Sequence, residues 1–110
     1  MKQYVIDQLR PRDYEQVLEF LDENAEKTAL DGIYWVNLPE DLCTTTQREH
    51  GRCRPHYFAI NLDINQVAFE LLIRSKQVLR CSCIAYATQE QRDFIIRFAD
   101  MMLEKLSIKI

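Results

Sequence analysis

The sequence predicts an α+β fold: an antiparallel sheet of three to five strands built around a central meander at 56–86, packed against a C-terminal helix at 88–106. An N-terminal helix at about 11–27 and a short helix near 39–49 complete it. Three observations carry this reading. Residues 56–86 alternate in polarity with a period of two and are rich in β-branched and aromatic types. Residues 88–106 and 11–25 instead repeat apolar groups at three- and four-residue spacing, one stripe per helix. With 110 residues, 47% hydrophobic and 28% charged, the chain is one domain able to bury its own core, which excludes a disordered or low-complexity class.

Within the meander, breaks at Asp63-Ile64-Asn65-Gln66 and Ser75-Lys76-Gln77 are of hairpin length and divide it into three strands. Alternate residues then put Phe58, Ile60 and Leu62, then Val67, Phe69, Leu71 and Ile73, then Leu79, Cys81, Cys83 and Ala85 on one apolar face. The opposite face mixes charge with Tyr57, Leu72, Val78, Ile84 and Tyr86, and so needs cover. Thr88 with Gln91 has capping-box spacing, and Phe94, Ile95, Phe98, Ala99, Met102, Leu103 and Leu106 supply the stripe that roofs the apolar face.

Ahead of the meander, Gln3–Ile6 reads as a short strand. Pro11 opens a helix whose buried stripe is Tyr14, Val17, Leu18, Leu21 and Ala25. Ile33 to Val36 is a further strand or extended loop after the Asp31-Gly32 turn. Trp35 belongs either under the mixed sheet face or, with Tyr34, to a surface contact. Pro39, Glu40 and Asp41 suit a helix start, which Thr44-Thr45-Thr46 weakens through successive β-branched residues. Ile108 to Ile110 suggests a terminal strand.

The stretch YVIDQLRPRDYEQVLEFL resembles the opening strand and first helix of the N-acetyltransferase superfamily. That resemblance implies an acyl-CoA site built on a glycine-rich cradle; Gly32 and Gly51, the only glycines, form no such run, so no site residue is carried over. No other nucleotide-binding loop occurs. Residues 1–42 carry a net −6, which leaves +3 for the rest of a chain whose total is −3; this balance is too weakly basic for general nucleic-acid binding. No run reaches the roughly 20 apolar residues of a membrane span, and the acidic N-terminal stretch is unlike a secretory signal, so the expected location is cytoplasmic. The four cysteines are then expected as reduced thiols, with Cys81 and Cys83 as small buried hydrophobes beneath a helix.

The unusual constellation is QREHGRCRPHYF, which holds both histidines. His50, Cys53 and His56 offer three zinc ligands at short spacing, with Cys43 or the Cys81/Cys83 pair as the fourth, although three neighbouring arginines oppose a dication. The same residues also suit a reactive thiol: Arg52 and Arg54 favour an ionised Cys53, with His50 or His56 as base. A third reading makes Arg48, Arg52 and Arg54, joined by Arg74, Lys76 and Arg80, a cradle for an anion or acidic partner. Against it stands plain pairing of those arginines with the acidic first helix, and Glu70 with Arg74 reads as a structural pair. The expectation drawn from all this is a non-enzymatic protein-interaction module that self-associates, a homodimer through its mixed sheet face, with the His50/Cys53/His56 cluster as the alternative centre of function.

Overall fold

A computed structural model describes residues 2–109. In chain order the elements are β1 (Gln3–Ile6), α1 (Pro11–Asn24), β2 (Glu26–Lys27), β3 (Ile33–Asn37), a 3-10 turn at Glu40–Leu42, α2 (Thr45–Glu49), a second 3-10 turn at Gly51–Cys53, β4 (His56–Asp63), β5 (Gln66–Glu70), β6 (Leu72–Ser75), β7 (Ala85–Tyr86) and α3 (Gln89–Lys105). The α+β class and the C-terminal helix are as the sequence reading has them. The antiparallel sheet has seven strands among the described residues, more than the three to five expected. Five run in the order β1-β5-β4-β3-β2, and β6 and β7 branch from β4.

The first hairpin turns at Ile64-Asn65, pairing Leu62 with Val67 and Ile60 with Phe69. Further along β4, His56 faces Ser75 and Tyr57 faces Arg74, an offset of two residues from the β5 register. An even offset preserves side-chain parity, so Ile73 stays on the face of Val67 and Phe69; an offset of one would have turned it outward. Ile33–Asn37 joins the sheet in full, pairing with β4 from Asn61 to Tyr57. Gly32, at φ +83°, makes the turn before it, and its carbonyl accepts from Leu62 N at 2.8 Å.

Helices α1 and α3 lie on one face of the sheet. Val17, Phe20 and Leu21 from α1 and Ile95, Ala99 and Met102 from α3 share a core with Tyr34, Phe58, Ile60, Val67, Phe69 and Ile73. Phe98 is its aromatic hub, with Phe20, Phe58 and Phe69 at centroid separations of 6.1, 6.0 and 6.3 Å in edge-on contacts. The buried Tyr34 hydroxyl donates to Asp22 Oδ1 at 2.8 Å, tying β3 to α1. Neither long helix contributes to the other sheet face, where Trp35 stacks on Tyr57 at 4.4 Å. Trp35 is half-buried there, outside the core, and Tyr34 points the opposite way.

Four expectations are corrected. The third meander strand does not form: residues 76–84 are turns and irregular chain, and only Ala85–Tyr86 pairs, with β6. Ser75 Oγ takes over the backbone here, accepting from Gln77 N and Val78 N at 3.1 and 3.2 Å, so the ladder ends and Leu79 is 94% exposed instead of facing the core. The first helix stops at Asn24, after which Glu26–Lys27 forms an edge strand on β3. The 39–49 segment divides in two because Thr44 is an N-cap, its hydroxyl accepting from Gln47 N at 3.2 Å. No strand forms at 108–109, where Ile108 joins the core; Ile110 lies outside the described residues. Of the expected contact patch, Tyr57 is buried beneath its neighbours while Tyr86 is exposed.

Candidate metal centre

The two 3-10 and turn segments at 50–53 and 81–84 meet beside the C-terminal end of β6. His50 Nδ1 or Nε2 and the Sγ atoms of Cys53, Cys81 and Cys83 all lie within 4.8 Å of one another. His50 Nδ1 is 2.9 Å from Cys81 Sγ, and Cys53 Sγ is 3.8 Å from it. A tetrahedral zinc with Zn–S of about 2.3 Å and Zn–N of about 2.0 Å needs donor atoms about 3.5 to 3.8 Å apart. The cluster is within a small adjustment of that geometry. No disulfide joins any of the four cysteines.

The donors arrive from separate stretches, and buried polar groups hold the backbone at Cys53 and Cys83. Ser75 Oγ donates to the Cys53 carbonyl at 2.6 Å while accepting from the backbone beyond it, so one hydroxyl both anchors the 51–53 turn and starts the 76–84 excursion. Lys76 N donates to Pro55 O at 3.1 Å, closing the same junction. From the other side Gln47 Nε2 donates to the Cys83 carbonyl at 3.2 Å. Gln47 Oε1 accepts from Thr44 N and from Gln91 Nε2, at 2.9 and 3.0 Å, and Gln91 Nε2 also reaches Leu42 O at 2.9 Å. Gln47 and Gln91 are the third residues of the α2 and α3 capping boxes, 2% and 1% exposed. Two helix starts are thereby locked together under Cys83. Buried amides satisfied this fully make a stiff support.

Cys81 and Cys83 are shifted in opposite directions. The Cys83 backbone N–H, then the Cys83 thiol, and with smaller effect His50 and Cys53, all favour the Cys81 thiolate, bringing Cys81 down to about 6 against the opposing effect of burial. Burial, followed by the Cys81 and Cys53 thiols, pushes Cys83 up to about 12. Of these two sulfurs, Cys81 is therefore the one on which negative charge is favoured.

The residues anticipated from sequence are distributed as follows. His50 and Cys53 belong to the cluster, as do both Cys81 and Cys83, which the strand assignment had placed side by side on a sheet face. His56 and Cys43 do not. His56 is 2% exposed in β4, and neither ring nitrogen has a hydrogen-bond partner. Cys43 Sγ points at Pro39 O, 3.8 Å away. His50 lies against Cys81, so the thiol with an adjacent imidazole is Cys81, while Cys53 is buried. Arg48 donates to Asp41 O at 3.0 Å; Arg54 pairs with Glu40 at 2.7 Å and also reaches Arg48 O. These two guanidiniums brace their own loop, pairing with the 40–42 turn instead of the first helix, and Arg52 is exposed. The sequence offered the Cys81/Cys83 pair as the source of a fourth ligand beside His50, Cys53 and His56; the structure brings both of these cysteines to the cluster and leaves His56 out. The adjacent apolar pair Val78-Leu79, which interrupts the period-two alternation, was the available signal that residues 78–84 leave the sheet.

The orphaned His56 leads to a pH prediction. Burial first, then the Arg54 and His50 charges, holds its imidazole below the usual value near 6.5. The unfolded chain therefore takes up the proton first, so the His56 contribution to stability is full above about pH 6.5 and is lost as pH falls from there toward the folded value, by at most about 1.4 kcal/mol per pH unit. Replacing His56 by Leu is expected to flatten that part of the acid limb in urea titrations at pH 7 and pH 5; an unchanged pH slope contradicts the assignment.

Comparison with protein-family models, curated proteins and solved structures finds no match. Fold and site together define an α+β domain with a Cys3His donor cluster between its sheet and its connecting loops. Among the described residues no helix is long and apolar enough to cross a membrane.

Proposed function

We propose that this chain is a zinc-binding domain in which His50, Cys53, Cys81 and Cys83 hold one structural Zn2+ ion that clamps the 76–84 segment to the 50–53 turn. The observation that carries it is the convergence of four nitrogen and sulfur donors within 4.8 Å. Three thiolates and one imidazole suit zinc, while magnesium and calcium require oxygen ligands. Iron–sulfur clusters are held chiefly by four cysteine thiolates, so the imidazole in this set favours zinc, and the iron content separates the two. Four protein ligands leave no open position for a substrate, which makes the role structural and non-enzymatic. The arginines that oppose a bare dication favour this complex: three thiolates more than neutralise Zn2+, and the net negative charge lies beside Arg52 and Arg54, the chain neighbours of Cys53. Elemental analysis of the purified chain is expected to find one zinc per molecule and no stoichiometric iron. Protein that comes metal-free and takes up no zinc from a micromolar solution sinks the proposal.

A second reading, self-association, is favoured by the sheet face that α1 and α3 leave bare. A cleft of roughly 410 Å³ there is lined by Ile33, Trp35, Tyr57, Ala59, Glu70 and Arg74, an apolar floor beside one ion pair. Pairing of two copies across this face, with Trp35 as the anchor, is expected to give a dimer by sedimentation at micromolar concentration, and Trp35→Ala to return a monomer. A wild-type chain that stays monomeric at micromolar concentration removes that reading.

A further inference from the structure

We propose that the cluster is also a thiol switch, in which a peroxide joins Cys53 to Cys81 as a disulfide and so expels the metal ion. This rests on the zinc reading above and adds to it a reaction and a trigger. Three features of the site carry it. Cys53 Sγ and Cys81 Sγ are 3.8 Å apart, close enough for one to displace a leaving group on the other. Cys81 is half-exposed whereas Cys53 and Cys83 are buried, so a small oxidant meets Cys81 first. The two sulfurs belong to segments 28 residues apart, each on a turn, and neither is held in a strand ladder.

The chemistry balances with a peroxide as the sole oxidant. The Cys81 sulfur attacks one oxygen of hydrogen peroxide; the O–O bond breaks, hydroxide leaves, and Cys81 becomes a sulfenic acid. The Cys53 sulfur then attacks the Cys81 sulfur, the S–O bond breaks, and a second hydroxide leaves. Two thiolates have lost two electrons to form one disulfide, and the peroxide has gained them to form two hydroxides. Only His50 and Cys83 then remain as ligands, too few to keep a structural zinc.

Cys53 is the resolving thiol in preference to Cys83 on geometric grounds. Cys81 and Cys83 are separated by one residue inside a turn closed by Ile84 N donating to Cys81 O at 3.0 Å. A bridge within that turn would have to bring its Cβ atoms to about 3.5–4.5 Å with a near-perpendicular torsion, inside a small ring. A bond from Cys81 to Cys53 meets no such ring. It also keeps the 50–53 and 81–84 segments tied once the metal has gone, so the oxidised chain stays folded.

The test uses the full chain, loaded with zinc and assayed for metal beforehand. Hydrogen peroxide is added in stoichiometric amount, released zinc is followed with a colorimetric chelator, and disulfides are mapped by peptide mass spectrometry. Expected are release of one zinc per chain in step with a Cys53–Cys81 disulfide, reversal by dithiothreitol and fresh zinc, and the same course in Cys43→Ser, whose changed residue lies outside the cluster. Retained zinc, a disulfide between any other pair, or loss of zinc with Cys81 over-oxidised and unbridged overturns the switch. A chain with no zinc before peroxide is added instead fails the metal reading, so the two failures are read at separate steps.

Discussion

Stripping the metal with a chelator is expected to lower the melting temperature by on the order of 15 °C. On the zinc reading the ion favours the folded chain, because only there do residues 50, 53, 81 and 83 converge. At free zinc a thousandfold above Kd, a ligand specific to the folded state contributes about 4 kcal/mol. In a domain near 100 residues each kcal/mol moves the midpoint by roughly 4 °C or more. Cys83→Ala is expected to match the chelated wild type, and chelator should then add nothing further. Cys43→Ala should keep the full zinc response, since that thiol faces Pro39. Scanning calorimetry with and without zinc measures all three; a midpoint shift in the wild type under 2 °C, about half a kcal/mol, would mean that the cluster does not hold a structural ion. The loss should concentrate in residues 76–84, which have few ladder hydrogen bonds of their own, and hydrogen exchange would report it there first.

Phe58→Ala should cost about 3–5 kcal/mol, the range for removing a buried aromatic side chain. Phe58 has no exposed surface, sits in the central strand, and meets Phe94 and Phe98 edge-on at 6.3 and 6.0 Å. The site cannot collapse easily, because Phe98 is held at the same time by Phe20 and Phe69. Against a total stability of about 5–15 kcal/mol this loss leaves the domain marginal. Phe58→Leu keeps most of the volume and should cost well under half as much. Urea unfolding of the two variants decides it; equal midpoints for Phe58→Ala and wild type would contradict the placement of this ring at the centre of the core.

The two effects act on different parts of the molecule and differ in how far the chain itself announced them. The helix stripe from Phe94 to Leu106 and the alternation from Phe58 to Phe69 were legible because burial of one face imposes a period that survives in any single sequence. The capping boxes at Thr44 and Thr88 are local too, although three successive β-branched residues at 44–46 mask the first of them, in which the Thr44 hydroxyl accepts from Gln47 N. The strand assigned to 78–86 went astray because Cys81, Cys83 and Ala85 mimic alternation, whereas Ser75 competes for the backbone and ends the ladder. His56 stood in the sequence as an equal of His50, but strand β4 carries it into the interior and the 3-10 turn brings His50 to the thiols.

The amino-acid sequence by itself determined the α+β class, the roofing helix, the first hairpin and the half of the cluster contained in His50-x2-Cys53, all set by interactions within a few residues along the chain. Only the tertiary structure decided that Cys81 and Cys83 complete that cluster, 28 and 30 residues further on than Cys53, and that His56 and Cys43 stay out of it. The physical reason is that the meeting depends on two buried glutamines and one serine hydroxyl, each bonding a carbonyl remote in sequence, and no periodicity records such contacts.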